Sequence, residues 1–168
     1  QKVTQETFLA DLDKDVVELD GKALSYEEYE YFMLHKPKGV VSATKDKTDK
    51  TVVELITENK RRDLFPVGRL DKDTEGLLII TNDGHLANDL LAPGKHVDKT
   101  YFARIDGDVN DDTIDLFSKG VDIGDETLTL PASLTLLKKA CVDEIVISEI
   151  NITITEGRYH QIKRMFKA

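Results

Sequence analysis

Cysteine is nearly absent from this chain: Cys141 stands alone among 168 residues. It cannot close an internal disulfide, and without a CxxC pair or histidine-rich company it offers no zinc site, so a place in the core is expected for it. There is also no run of about 18 apolar residues, which excludes a membrane-spanning helix. The acidic first 30 residues lack the basic, then apolar, order of a secretion signal. Internal repeats and low-complexity tracts are missing as well. What remains, at 40% apolar content, suffices for one buried core, and a soluble cytoplasmic protein is expected. Positive charge is in short supply too. The net charge of -9 argues at first sight against nucleic acid, because phosphate contacts depend on Lys and Arg.

That deficit is regional. Residues 108–150 hold ten acids against three bases, and the other 125 residues carry a net charge of only -2. Lys36, Lys38, Arg61, Arg62, Arg69, Lys72, Lys99, Arg104, Arg158, His160, Lys163 and Arg164 gather in the near-neutral remainder, around the segments richest in motif residues.

Alternating apolar and polar residues around Asp20-Gly21 predict a small hairpin over 14–24. A strand pattern from Tyr29 is stopped by Pro37 and Gly39, with Lys36 and Lys38 flanking the stop. Residues 51–58 show helical spacing at Val52, Leu55 and Ile56, with Asp49 as a cap, followed by a basic turn at Lys60, Arg61 and Arg62. A buried strand is expected over 77–81, then a helix over 84–91, a strand over 101–105, and a helix over 111–119 stopped by Gly120. Strands over 134–137 and 144–155 and a short basic helix over 160–167 complete the order. Without a regular alternation of strand and helix, an α+β fold on a largely antiparallel or mixed sheet with flanking helices is expected.

Between Pro66 and the 77–81 strand lies GRLDKDTEG, five charges in a loop bounded by Gly68 and Gly76. Loops carried on a rigid sheet are where binding and catalytic groups concentrate. Asp71, Asp73 and Glu75 before Gly76 imitate the start of an EF-hand loop, but its closing position falls on Asn82 instead of Glu, and a strand follows instead of a helix. A glycosidase pair would need two acids placed across a sugar, not side by side. A plain solvated turn stays open on the loop alone.

The loop does not stand alone. PVGRLDKDTEGLLIITNDG at 66–84 resembles the signature of bacterial ribosomal RNA pseudouridine synthases, and FMLHKPKGVVSA at 32–43, KTYFARIDG at 99–107 and EGRYHQIKRM at 156–165 follow in that family's order. The closing EGRYHQIKRMF is most similar to the RsuA subgroup, which acts on a uridine of small-subunit (16S) rRNA. The resemblance implies a pseudouridine synthase catalytic fold and an isomerase that needs no metal and no cofactor. It implies Asp71 as the catalytic aspartate, Tyr101 as an active-site tyrosine stacking on the uracil, and Lys163 as the cation paired with the aspartate. Ile162 is placed against the base and Arg69 near the emptied base position. Lys36 and Lys38 are expected as phosphate contacts, and Lys99, Arg158, His160 and Arg164 as further RNA-binding groups.

The chemistry of the residues agrees with that assignment. Isomerising uridine breaks C1′–N1 and joins C1′ to C5, which calls for a carboxylate at the sugar or ring and a cation to keep it ionised. An aromatic side chain can hold the flipped base by stacking. Residues 1–28 are expected to be the tail of an N-terminal S4-like RNA-binding module with its linker, and 29–168 a catalytic domain incomplete at its C-terminal end. The partner expected is 16S rRNA or a partly assembled small subunit, met by a monomer. The alternatives are the same reaction on large-subunit rRNA, and a noncatalytic RNA-binding or ribosome-assembly factor on the same fold.

Overall fold

The computed structural model describes residues 3–4, 7–11, 14–24, 27–57 and 62–168. Lys60 and Arg61 of the expected basic turn, and Glu58 before it, lie outside these. The chain opens on a minimal hairpin, β1 (Glu18–Leu19) with β2 (Lys22–Ala23). Asp20 and Gly21 both have positive φ, the backbone that a two-residue turn between twisted strands requires.

A first three-stranded antiparallel sheet follows, β3 (Tyr31–Lys36), β4 (Phe65–Val67) and β5 (Gly76–Thr81), in the order β3-β5-β4. β5 is central, pairing with β3 along its whole length and with β4 over its last three residues, and of its apolar run Leu78 and Ile80 are buried. Pro66 has no donor for a second neighbour and sits in an edge strand, which the sequence reading left unassigned. Phe32, Leu34, Leu78 and Ile80 turn to one face and pack with Val40, Val52 and Leu64. The opposite face keeps Tyr31, Met33 and Leu77 exposed.

The helix expected over 51–58 is a single 3-10 turn, Val53–Leu55. Thr51 forms an isolated parallel bridge with Val41, which holds the start of the segment extended, and Ile56 is extended again at ψ 109°. Val52 is fully buried, so its apolar spacing serves a core loop. Asp49 caps nothing there; its carboxylate takes a hydrogen bond from the Lys72 ammonium at 2.7 Å.

α1 (Gly84–Leu91) begins at Asp83, whose side chain accepts from the amides of His85 and Leu86. The second sheet is again antiparallel, β6 (Lys99–Asp106), β7 (Ser133–Val142) and β8 (Ile145–Ile154), in the order β6-β8-β7. Between β6 and β7 runs α2 (Asp111–Lys119), whose start Asn110 and Thr113 close with a reciprocal capping box. Gly120 ends it at φ 93°, where a Cβ would stand 2.3 Å from the Thr129 carbonyl oxygen, so only glycine fits. Ile150, Ile152 and Ile154 of β8 meet Phe117 of α2 and Met165 of α3 (Gln161–Met165) in the second core.

Two expectations about β7 fail. It runs five residues beyond 137, and Cys141, expected in the core, is exposed on that extension. The hairpin to β8 turns on Asp143 and Glu144, both at positive φ without glycine. The fold is α+β, as expected. Among the described residues no helix is long and apolar enough to cross a membrane.

Candidate active site

The loop from Gly68 to Glu75 leaves the edge strand β4 and returns through β5, and it is held at several points by the segment after β3. The Gly39 amide donates to the Lys72 carbonyl at 2.7 Å. Ser42 Oγ donates to the Leu70 carbonyl at 2.8 Å and accepts from the Leu70 amide at 3.1 Å. The Thr74 amide donates to the Asp71 carbonyl at 3.0 Å, closing a turn with Asp71 at its first position.

Lys36 completes the clamp, and here the structure corrects the sequence reading. It is fully buried, and its ammonium donates to the carbonyls of Pro37 (3.1 Å), Lys72 (3.4 Å) and Thr74 (2.8 Å). All three donors of the ammonium are used inside the protein, so none reaches a phosphate. Burial pushes its pKa below the ordinary lysine value, partly opposed by the carboxylates of Asp73, Asp71 and Glu75. Lys36→Met is expected to strand those loop carbonyls and to lower unfolding free energy by about 2–4 kcal/mol, part of the loss being offset by the ammonium's own desolvation cost. For a chain this size that is a fall in Tm of roughly 5–15 °C, read by calorimetry; an unchanged Tm would show that the clamp holds nothing.

Against this loop stands α3. Lys163 Nζ lies 3.1 Å from Asp71 Oδ2 and 2.6 Å from Asp73 Oδ1, so one ammonium bridges both carboxylates. The hydrogen bond to Asp73 is the largest influence raising the Lys163 pKa, and the same bond holds Asp73 below the usual carboxylate range. His160 Nε2 is 3.6 Å from Asp71 Oδ1. Asp71, Asp73, Lys163, His160, Lys38, Gly39 and Lys72 together line one open cleft. Tyr101 lies on the inward side of β6, half-buried. Burial, and then the Asp71 charge, push its phenol above the ordinary value.

The other expected RNA-binding residues divide. Arg69 is exposed at the mouth of the loop and Lys38 lies in the cleft. Ile162 is half-buried against the second core. Lys99 turns its ammonium to the Val97 carbonyl at 2.9 Å. Arg158 and Arg164 are built into the protein. Arg158 donates to the carbonyls of Thr127 (2.8 Å) and Leu128 (2.7 Å) and to Glu156 (3.1 Å). Arg164 holds Asp125 and the Ile123 carbonyl, and together the two guanidiniums keep the Asp125 carboxyl below its usual range. Their forks pin the 123–128 loop instead of facing solvent. Asp73, Ser42 and Gly39 are the site residues that sequence reasoning did not single out. Asp73 was visible only as one of several loop acids.

Carboxylates, ammoniums and an imidazole thus gather around one cleft, with the half-buried Tyr101 phenol near enough to feel the Asp71 charge. The RNA pseudouridylate synthase family model matches residues 30–168. The chain belongs to this family. It is 43% identical over 159 residues, 94% of its length, to the "Uncharacterized RNA pseudouridine synthase YtzG" of Bacillus subtilis. Over 90% of its length it is 39% identical to the ribosomal small subunit pseudouridine synthase A of Escherichia coli K12, and over 99% it is 38% identical to the ribosomal large subunit pseudouridine synthase B of Bacillus subtilis. A crystal structure of a pseudouridylate synthase superposes on 97% of the chain with a TM-score of 0.73 at 32% identity. The chain spans 65%, 63%, 67% and 67% of these four relatives' own lengths, in that order.

Proposed function

We propose that this protein converts uridine to pseudouridine in ribosomal RNA, and that its substrate is the 16S rRNA of the small subunit. The observation that carries the proposal is Asp71, set on a clamped loop and met by Lys163 across the cleft. In the reaction C1′–N1 breaks and C1′–C5 forms, the C5 proton leaves and N1 gains one, so the product is an isomer of the substrate. Asp71 acts at the sugar or the ring, Lys163 keeps its charge compensated, and Tyr101 stacks on the flipped uracil and offers a hydroxyl for proton transfer. Arg69 and Lys38 meet the RNA at the rim. Residues 29–168 form the catalytic unit and 1–28 the tail of an RNA-binding module. The protein works as a monomer in the cytoplasm, where ribosomes are assembled.

The small-subunit assignment is supported by the similarity to the Escherichia coli small-subunit enzyme and by the closing EGRYHQIKRMF. The large-subunit enzyme of Bacillus subtilis is similar over more of the chain, and makes 23S rRNA the second reading. Incubation with 16S and 23S transcripts and with partly assembled small subunits, followed by carbodiimide mapping with primer extension, separates them. A single stop in 16S rRNA is expected. A stop confined to 23S rRNA would transfer the substrate, and no stop on either would overturn the proposal.

A further inference from the structure

Beside the cleft, Tyr159 presents its ring to solvent at 74% exposure. Large aromatic side chains are rarely left this open, because burying one is worth about 1.5–3 kcal/mol. The ring is nevertheless held in place. It stacks on His160 with centroids 3.9 Å apart and planes 17° from parallel. Neighbouring residues seldom place their rings face to face; here His160 sits in the left-handed region at φ 47°, a conformation that costs a non-glycine residue stability.

The backbone on both sides is locked. The Arg158 amide donates to the buried Gln161 Oε1 at 2.9 Å, Gln161 Nε2 donates to Glu156 at 2.9 Å, and Arg164 Nη1 donates to the Tyr159 carbonyl at 3.2 Å. On its other edge His160 reaches to within 3.6 Å of Asp71. Carboxylate, imidazole and phenol ring therefore stand in sequence, and the outermost ring has an open face, one stacking layer beyond the cleft wall.

Resting on the proposed reading of the cleft as a uridine site, we propose that Tyr159, backed by His160, is a stacking platform for the base of a nucleotide flanking the flipped uridine. Single-stranded RNA is gripped by aromatic faces that take any base, and a rigid, pre-positioned ring loses little freedom on binding. An RNA strand that delivers one base to Asp71 must carry its neighbours past this rim. The ring there gives the neighbour a surface to replace the stack it loses when the uridine leaves.

The test compares Tyr159→Phe, Tyr159→Leu and Tyr159→Ala in the otherwise unaltered protein. Two probes are used: 16S rRNA transcript for affinity, and a short oligouridine carrying one 2-aminopurine, whose fluorescence falls when it stacks on an aromatic ring. Tyr159→Phe is expected to keep both affinity and quenching. Tyr159→Leu and Tyr159→Ala are expected to weaken binding roughly tenfold to a hundredfold, the range for removing one base-stacking aromatic, and to lose the quenching. Equal affinity and quenching for Phe and Leu, or no RNA binding by the unaltered protein, would overturn the platform. Pseudouridine formation with no penalty from the Leu variant overturns the platform alone. A clear penalty with no pseudouridine formed overturns the proposed reaction alone.

Discussion

Asp71→Asn is expected to abolish pseudouridine formation while the protein stays folded and still binds RNA. The substitution preserves size, and the remaining carbonyl oxygen can still accept from Lys163 at the 3.1 Å position of Asp71 Oδ2. It removes the one property the reaction needs, a carboxylate able to act as nucleophile or base. Loss of about 10⁴-fold or more in kcat is expected, the scale seen when a reacting group is deleted. Binding should be unchanged or tighten severalfold, since a negative charge leaves a cleft that must accept phosphates. The Asp71 side chain is 27% exposed and the ion pair it loses is open to solvent, so Tm should move by no more than about 3 °C. The measurement is single-turnover conversion mapped at the modified uridine, beside a filter-binding Kd and a thermal melt. An Asn variant retaining more than about a tenth of the wild-type rate would remove Asp71 from the chemistry.

The parts of the molecule that were legible before its structure are those governed by short-range rules. Gly120 ends α2 where a stop is expected, because termination at a positive-φ glycine is decided within a few residues, whereas the Asn110–Thr113 capping box that starts the helix is seen only in the structure. The turn at Asp20-Gly21 in the first hairpin is decided locally in the same way. Residues 51–58 misled because apolar spacing reports burial, not the backbone path that achieves it; the bridge from Thr51 to Val41 is a contact between separate strands of chain. The β7–β8 turn on Asp143 and Glu144 lacks the glycine that would have announced it.

Charge was the least legible property of the site. A basic residue near a motif looks the same in sequence whether it faces solvent or a row of carbonyls. Lys36, Arg158 and Arg164 turned inward, while Lys38 lines the cleft and Arg69 stays exposed. Several acids of the stretch 108–150 are paired, Asp125 with Arg158 and Arg164 from outside it, and Asp108 with Lys139 at 2.5 Å and Asp115 with Lys119 inside it. These pairs leave the net charge as it is, since their cations are already counted in it, but they mean that the count of bases overstates how many can touch RNA.

Lys163 is where charge and chemistry meet, and Lys163→Met should cost activity far more than stability. Asp73 is held below its ordinary pKa chiefly by the Lys163 hydrogen bond, so its share of stability is present above an unfolded value of about 3.9 and is lost as pH falls through the lower folded one. Lys163 is raised chiefly by Asp73, so its share is present below about 10.4 and is lost as pH rises through the higher folded value. Between roughly pH 5 and 9 the pair stays charged and contributes a constant amount. With the side chains 43% and 57% exposed, screening limits that amount to about 1 kcal/mol or less, a Tm change under about 3 °C. Activity is another matter: without the ammonium, Asp71 and Asp73 share the cleft with no bridging cation, and the loop loses its link to α3. A fall of about 100- to 1000-fold in kcat/KM is expected, from displaced geometry and uncompensated charge together. Lys163→Arg, which keeps the charge, should stay within about tenfold of wild type, as should Asp73→Asn, which leaves the cation to Asp71 alone. Equal losses for Met and Arg would mean that the length of the side chain matters and its charge does not; a Met variant at the wild-type rate would leave the bridge without a part in the reaction.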